Sequence, residues 1–183
     1  MNNKNRNLVL NGLFIALVYV ATRFINIPGG TSGGLFHLGN VMAFTIAIVF
    51  GKKAGAISGG IGMALFDLTS SYAIWAPFTL VIRLAVGYII GLAAEKFIKN
   101  RIYNIISIIV GITIATVVII IGYYVSEVIL YHNFIKPLQS VYGNFMQGVV
   151  GAIMGVPLSL TLREALKKAN INIYIEDKKV SVK

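Results

Sequence analysis

Cysteine is absent, histidine occurs twice (His37 and His132), and six acids face sixteen Lys and Arg across 183 residues. Without thiols the chain has no disulfide framework, no thiolate nucleophile and no iron–sulfur or zinc-thiolate site. Asp67 and Glu127 fall within apolar stretches, with Glu164 only at the end of the last one, and no carboxylate–histidine group has metal-ligand spacing, so neither a metal centre nor a cofactor is expected. No Ser is set against a His at a recognisable spacing for nucleophilic catalysis, and no GxxxxGK[ST] segment is present to bind nucleotide. Charge is also scarce. Charged residues make up 12% of the chain, against about 25% in soluble domains. That excludes an ordinary water-soluble globule, and it leaves too little polar surface for the net charge of +10 to serve nucleic-acid binding. What fills the chain is apolar sequence, 57% of its residues, gathered in long runs. The length suits one integral membrane domain of about six helices, at about 20 residues per span.

The runs cover residues 8–25, 38–50, 54–70, 74–94, 102–131 and 141–166. The first follows a basic N-terminus and resembles a signal peptide. No small-residue cleavage site follows it, so it reads as a span. The second is short for a span and must be sheltered by neighbours; the fifth is long enough to tilt or project. The breaks between runs carry turn chemistry, as in Asn26-Ile27-Pro28-Gly29-Gly30 and Gly51-Lys52-Lys53. The expectation is an all-α membrane protein with six transmembrane helices, a single domain over residues 1–168, and a short polar cytoplasmic tail at 169–183.

Cationic residues set the orientation. Lys4/Arg6, Lys52/Lys53, Lys96/Lys99/Arg101 and the C-terminal set from Arg163 onward hold 13 of the 16 Lys and Arg. With six spans, all four clusters lie on one side of the membrane. By the positive-inside rule both termini are cytoplasmic.

Polar groups inside spans are costly, at about 2.5–3.5 kcal/mol for an ionised group on insertion scales, so they should face protein or water. In the six-span topology they gather toward the outer half. Asp67 lies near the outer end of the third span. Tyr123, Glu127 and Tyr131 are spaced i, i+4, i+8 on one face of the fifth. Asn144 and Gln147 open the sixth, and His37, Asn40 and Trp75 lie at outer span ends. The inner halves are apolar or small. That asymmetry fits a pocket open to the outside better than a pore, which needs polar lining along its whole length. Aromatic faces, amides, a histidine and carboxylates suit a small planar heterocycle with hydroxyl groups. Other roles stay open: the aromatics serve equally as interfacial belts, Asn144 and Gln147 as interhelical hydrogen-bond glue, and Asp67 as a helix cap or as a partner for Arg83. Arg83, near mid-depth in the fourth span, suits that ion pair or a ligand contact equally.

Small residues recur at four-residue spacing. Gly55/Gly59, Gly87/Gly91 and Gly151/Gly155 read as internal packing faces. Gly12 and Ala16 on the first span could instead form a smooth external face for a partner membrane protein.

Several segments resemble one family. Asn11-Gly12-Leu13-Phe14-Ile15-Ala16 resembles the first helix of the substrate-binding (S) components of energy-coupling factor (ECF) transporters, where small residues at the positions of Gly12 and Ala16 contact a transmembrane coupling subunit. Phe36-His37-Leu38-Gly39-Asn40, the glycine-rich run ending Leu65-Phe66-Asp67, Trp75-Ala76-Pro77-Phe78-Thr79 with Arg83, and Asn144-Phe145-Met146-Gln147-Gly148 are similar to segments of its riboflavin and hydroxymethylpyrimidine branch. The order and spacing hold over about residues 8–165. The resemblance implies a six-helix membrane subunit, in the bacterial plasma membrane and not itself an enzyme, that captures a B-vitamin or precursor from outside. The vitamin would be riboflavin, hydroxymethylpyrimidine or a pyridoxine-like compound. It also implies a coupling subunit and two cytoplasmic ATPases as partners, with the loop at 27–39 acting as a lid. The candidate ligand contacts are His37, Asn40, Asp67, Trp75, Tyr123, Glu127, Asn144 and Gln147; the candidate partner interface is Gly12 and Ala16. The rival reading is a stand-alone proton-coupled carrier, for which Asp67, Glu127 and His132 would relay protons.

Overall fold

The computed structural model describes residues 3–24, 26–28, 35–95 and 101–169. Among them are six α-helices: α1 (Asn3–Phe24), α2 (Gly39–Phe50), α3 (Lys52–Leu68), α4 (Ala76–Glu95), α5 (Arg101–Tyr131) and α6 (Leu138–Lys168). A single 3₁₀ turn at Ala73–Trp75 leads into α4. Between α1 and α2 the flanks of the expected lid loop pair as a small antiparallel hairpin, β1 (Asn26–Pro28) with β2 (Leu35–His37). The lid glycines Gly29, Gly30, Gly33 and Gly34 and the tail from residue 170 lie outside the described residues.

Four helices are long and apolar enough to cross a membrane: the segments Asn5–Phe24, Ala73–Glu95, Ile102–Tyr131 and Leu138–Lys168. Of the six expected spans, α2 and α3 are shorter, with 12 and 17 residues. At 1.5 Å per residue α2 is about 18 Å long, well short of a hydrocarbon core of about 30 Å. Its position resolves the mismatch. Ten of its twelve residues are buried, because α1, α3, α4 and α6 all pack around it. A helix that is apolar on every side belongs in a core, and one that touches no lipid need not match the bilayer. The guanidinium of Arg163, on α6, donates to the Ile48 carbonyl in the last turn of α2. A cation thereby satisfies an otherwise orphaned helix end.

Two features fix the α2–α3–α4 unit. Gly51, the only residue between α2 and α3, has φ 90°, a conformation that a side chain would strain. Its carbonyl accepts the Gly55 N–H at 2.9 Å and its own N–H donates to the Ala47 carbonyl at 3.0 Å. Then α3 and α4 run almost backbone to backbone: a Cβ at Gly87 would strike the Gly55 carbonyl, and one at Gly91 the Lys52 backbone. The Lys52 ammonium meets the Glu95 carboxylate at 3.0 Å and its backbone N–H meets the other carboxylate oxygen at 3.1 Å, joining the start of α3 to the end of α4. The small faces of these two helices are therefore internal packing faces, and so is that of α6, whose Gly148 and Gly151 lie on Thr116 and Phe44. Gly12 is the exception, with nothing near the space a Cβ would occupy. The main core cluster centres on Phe44, Ile48, Ile82, Val86, Ile90, Ile108, Ile112 and Ile119. A second, around Phe14, Val18, Ile46 and Met63, seats α1.

Candidate ligand-binding site

The site is built around a buried cation. Thr79 and Arg83 are four apart on α4, hence on one face, and both are buried, Arg83 to 2% exposure. The Arg83 guanidinium donates through Nη1 to Asn40 Oδ1 of α2 at 2.8 Å, through Nη2 to Gln147 Oε1 of α6 at 2.9 Å, and through Nε to the Tyr123 hydroxyl of α5 at 3.3 Å. Asn40 Nδ2 closes the ring by donating to Gln147 Oε1 at 3.2 Å. The Tyr123 hydroxyl also lies 3.1 Å from Thr79 Oγ1, and the guanidinium carbon sits 5.2 Å from the Tyr123 ring centroid. Four helices therefore converge on one side chain. Buried charge requires such satisfaction, and neutral amide oxygens supply it here.

The neighbouring ionisable groups are not so satisfied. Asp67, at the end of α3, is 8% exposed and its Oδ2 is buried without a hydrogen-bond partner. It feels the Arg83 charge and is hydrogen-bonded by Thr79, yet the Arg83 donors go to Asn40, Gln147 and Tyr123 instead. Of the two roles open for Arg83, the Asp67 salt bridge is therefore not the one formed. Nor does the Asp67 carboxylate cap its helix; the Asp67 main-chain carbonyl accepts from Ser70 instead. His37, at the end of β2, is half-buried, with Nδ1 buried and unpartnered. Burial, then the Arg83 charge, push its imidazole down to about 3, so the ring is neutral at physiological pH. Asn144 is 7% exposed on the inner side of α6.

Along α5, Tyr123, Glu127 and Tyr131 follow one another at one-turn intervals. Tyr123 belongs to the Arg83 cluster. Glu127, one turn on, lies near Ser140 and Lys136. Tyr131, about 12 Å from Tyr123 along the axis, meets Trp75 edge-on at 6.1 Å and carries the Lys136 ammonium 4.1 Å from its ring centroid. The structure thus divides the expected contacts in two. Asn40, Tyr123 and Gln147 join the buried cluster, with Asp67 and His37 beside it and Asn144 one turn from Gln147; Glu127, Trp75 and the added Tyr131 form a separate group. Thr79 and Arg83 are the residues that spacing alone did not assign to the site. Their four-residue separation in an apolar helix was the available signal. Gly12 and Ala16 are exposed on α1, on the side away from the buried Phe14 and Val18.

The comparisons with known proteins point one way. The sequence model described as "ECF-type riboflavin transporter, S component" matches residues 2–164. A Pyrococcus woesei protein described as "Uncharacterized protein in gap 3'region" is 31% identical over 149 residues, spanning 81% of this chain and 96% of that relative. The "Thiamine precursor transporter HmpT" of Lactococcus lactis subsp. cremoris is 28% identical over 161 residues, covering 87% and 89% of the two chains. A solved structure described as "Structure and mechanism of the S component of a bacterial ECF transporter" superposes with a TM-score of 0.67 at 23% identity, covering 90% of this chain and 99% of that one. The fold, the polar cluster within an apolar bundle and the match along nearly the whole sequence agree: the chain belongs to the family of ECF-type riboflavin transporter S components.

Proposed function

We propose that this protein is the membrane-embedded, high-affinity binding subunit of an ATP-driven importer, capturing a B-vitamin or vitamin precursor from the outer side. The observation that carries the reading is the interior polar cluster on Arg83, with buried hydrogen-bonding capacity left over at Asp67 Oδ2 and His37 Nδ1. Buried polar atoms without partners are uncommon in folded proteins, and a bound ligand would satisfy them. Asp67, His37 and Asn144 are the direct contacts in this reading. Asn40, Gln147 and Tyr123 hold the floor, while Trp75 and Glu127 line the entrance. The cargo is hydroxymethylpyrimidine, riboflavin or a pyridoxine-like compound. The transmembrane coupling subunit docks on the exposed Gly12/Ala16 face, and two cytoplasmic ATPases supply the energy.

The test is isothermal titration of the detergent-purified chain with each vitamin, together with mass spectrometry of whatever copurifies. The expected result is tight binding of one vitamin, weakened about ten- to a hundredfold by Asn144→Ala or Glu127→Ala, as expected for the loss of one buried polar contact. Unchanged affinity in both variants refutes the pocket.

A further inference from the structure

Asp67 and Arg83 pose a physical question. Both are buried, each within electrostatic reach of the other, and a buried carboxylate beside a buried guanidinium ordinarily closes into an ion pair. Here Arg83 is held by three neutral groups instead: Asn40 Oδ1 at 2.8 Å, Gln147 Oε1 at 2.9 Å and the Tyr123 hydroxyl at 3.3 Å. These come from α2, α6 and α5, so the guanidinium is fixed from three sides and cannot swing toward α3 without breaking all three bonds. The consequence falls on Asp67. Its Oδ2 is left as a buried acceptor with nothing donating to it.

Resting on the functional reading above, we propose that Arg83 is a positioning residue whose attachment to Asn40, Gln147 and Tyr123 keeps Asp67 Oδ2 unpaired, and that this oxygen receives an amino group carried by a neutral heterocyclic ligand. The chemistry selects the ligand's edge. A carboxylate only accepts hydrogen bonds, so the ligand must donate. An imide presents one N–H between two carbonyl oxygens, and their lone pairs would face the carboxylate. An exocyclic ring amine presents two N–H donors, one of them turned away from the ring-nitrogen acceptor. Charge selects as well. One buried cation and one carboxylate held apart leave the site close to neutral and strongly dipolar, which disfavours both cationic and anionic ligands relative to a neutral ring with a donor edge.

The experiment is titration calorimetry on the full chain in detergent, with two probes: hydroxymethylpyrimidine bearing its ring amino group, and the counterpart with oxygen in place of that amine. The wild type should prefer the amino form by about tenfold or more. Asp67→Asn, similar in size but able to donate, should abolish or reverse the preference. Arg83→Lys, which keeps the charge but loses the planar fork, frees the cation to pair with Asp67 and should weaken the amino form by about tenfold, shrinking its preference over the oxygen counterpart. A merely structural Arg83 would lower the melting temperature without changing the affinity of the folded fraction. Thermal shift of the wild type with each probe gives the same answer without any variant: at equal concentration the amino form should stabilise more. Equal affinity for the two probes, or an unchanged ratio in Asp67→Asn, overturns the assignment of Asp67. Wild-type affinity in Arg83→Lys overturns the positioning role. Tight binding of riboflavin with indifference to both pyrimidines overturns this proposal and leaves the binding-subunit reading standing; no binding of any vitamin overturns both.

Discussion

Replacing Gln147 by Met tests the buried cluster most directly. The two side chains are close in volume, so the change opens little cavity and reports chiefly on hydrogen bonding. Gln147 Oε1 accepts one charge-assisted bond from Arg83 at 2.9 Å and one neutral bond from Asn40 at 3.2 Å. Bonds to charged groups contribute about 1.5–3 kcal/mol and neutral ones about 0.5–1.5 kcal/mol. Their loss also leaves a guanidinium N–H unsatisfied where water does not reach. The expected destabilisation is about 2–4 kcal/mol. For a chain of this size each kcal/mol corresponds to about 2–4 °C, so the melting temperature should fall by about 5–15 °C. The assay is thermal unfolding in detergent followed by tyrosine and tryptophan fluorescence. Phe145→Leu, on the exposed side of α6, serves as the control and should move little. A Gln147→Met protein melting within about 2 °C of the wild type would show that the amide carries no weight in the cluster, and the account of Arg83 would go with it.

Gly87→Ala should destabilise by about 1–3 kcal/mol by forcing α3 and α4 apart, since its Cβ would meet the Gly55 carbonyl; normal melting would mean that the two helices do not pack this closely. Gly12→Trp, whose side chain enters open space, should leave folding and ligand titration unchanged while stopping uptake by the assembled transporter; normal uptake removes the partner face from α1. His37 predicts a pH dependence. Its imidazole is held near 3 in the folded protein against about 6.5 unfolded, so between these values the unfolded chain binds the extra proton. Stability is then full above about pH 6.5 and declines as pH falls through that window, by at most about 1.4 kcal/mol per pH unit and less because the ring is partly exposed. Melting curves at descending pH should show a flatter decline in His37→Gln; identical slopes would rule out a neutral buried imidazole.

The long apolar helices were legible because membrane spans write themselves as continuous runs: α4, α5 and the core of α6 lie close to where hydropathy puts them. The i, i+4, i+8 face of Tyr123, Glu127 and Tyr131 was equally readable, since a helix leaves its periodicity in the sequence. What the sequence leaves open is distance between helices. Nothing local distinguishes an Arg83 that pairs with Asp67 from one that binds Asn40 and Gln147, because the choice depends on how α2 and α6 meet α4. Similarly, a 12-residue apolar run can graze a membrane or sit at the centre of a bundle. The structure decides for the centre through neighbours far away in sequence. The exposed Gly12 and the internal Gly87 carry the same local signature and differ only in what lies opposite.

The burial of α2 has a consequence for biogenesis. A segment too short to cross the bilayer, and joined to α3 through Gly51 alone, has no stable resting place in lipid by itself. It must leave the insertion machinery paired with its successor as a helical hairpin, then wait at the membrane until α4 and α6 arrive to enclose it. The Arg83 cluster, which takes Asn40 from this same helix and Gln147 from α6, is therefore completed only when the last helix is in place.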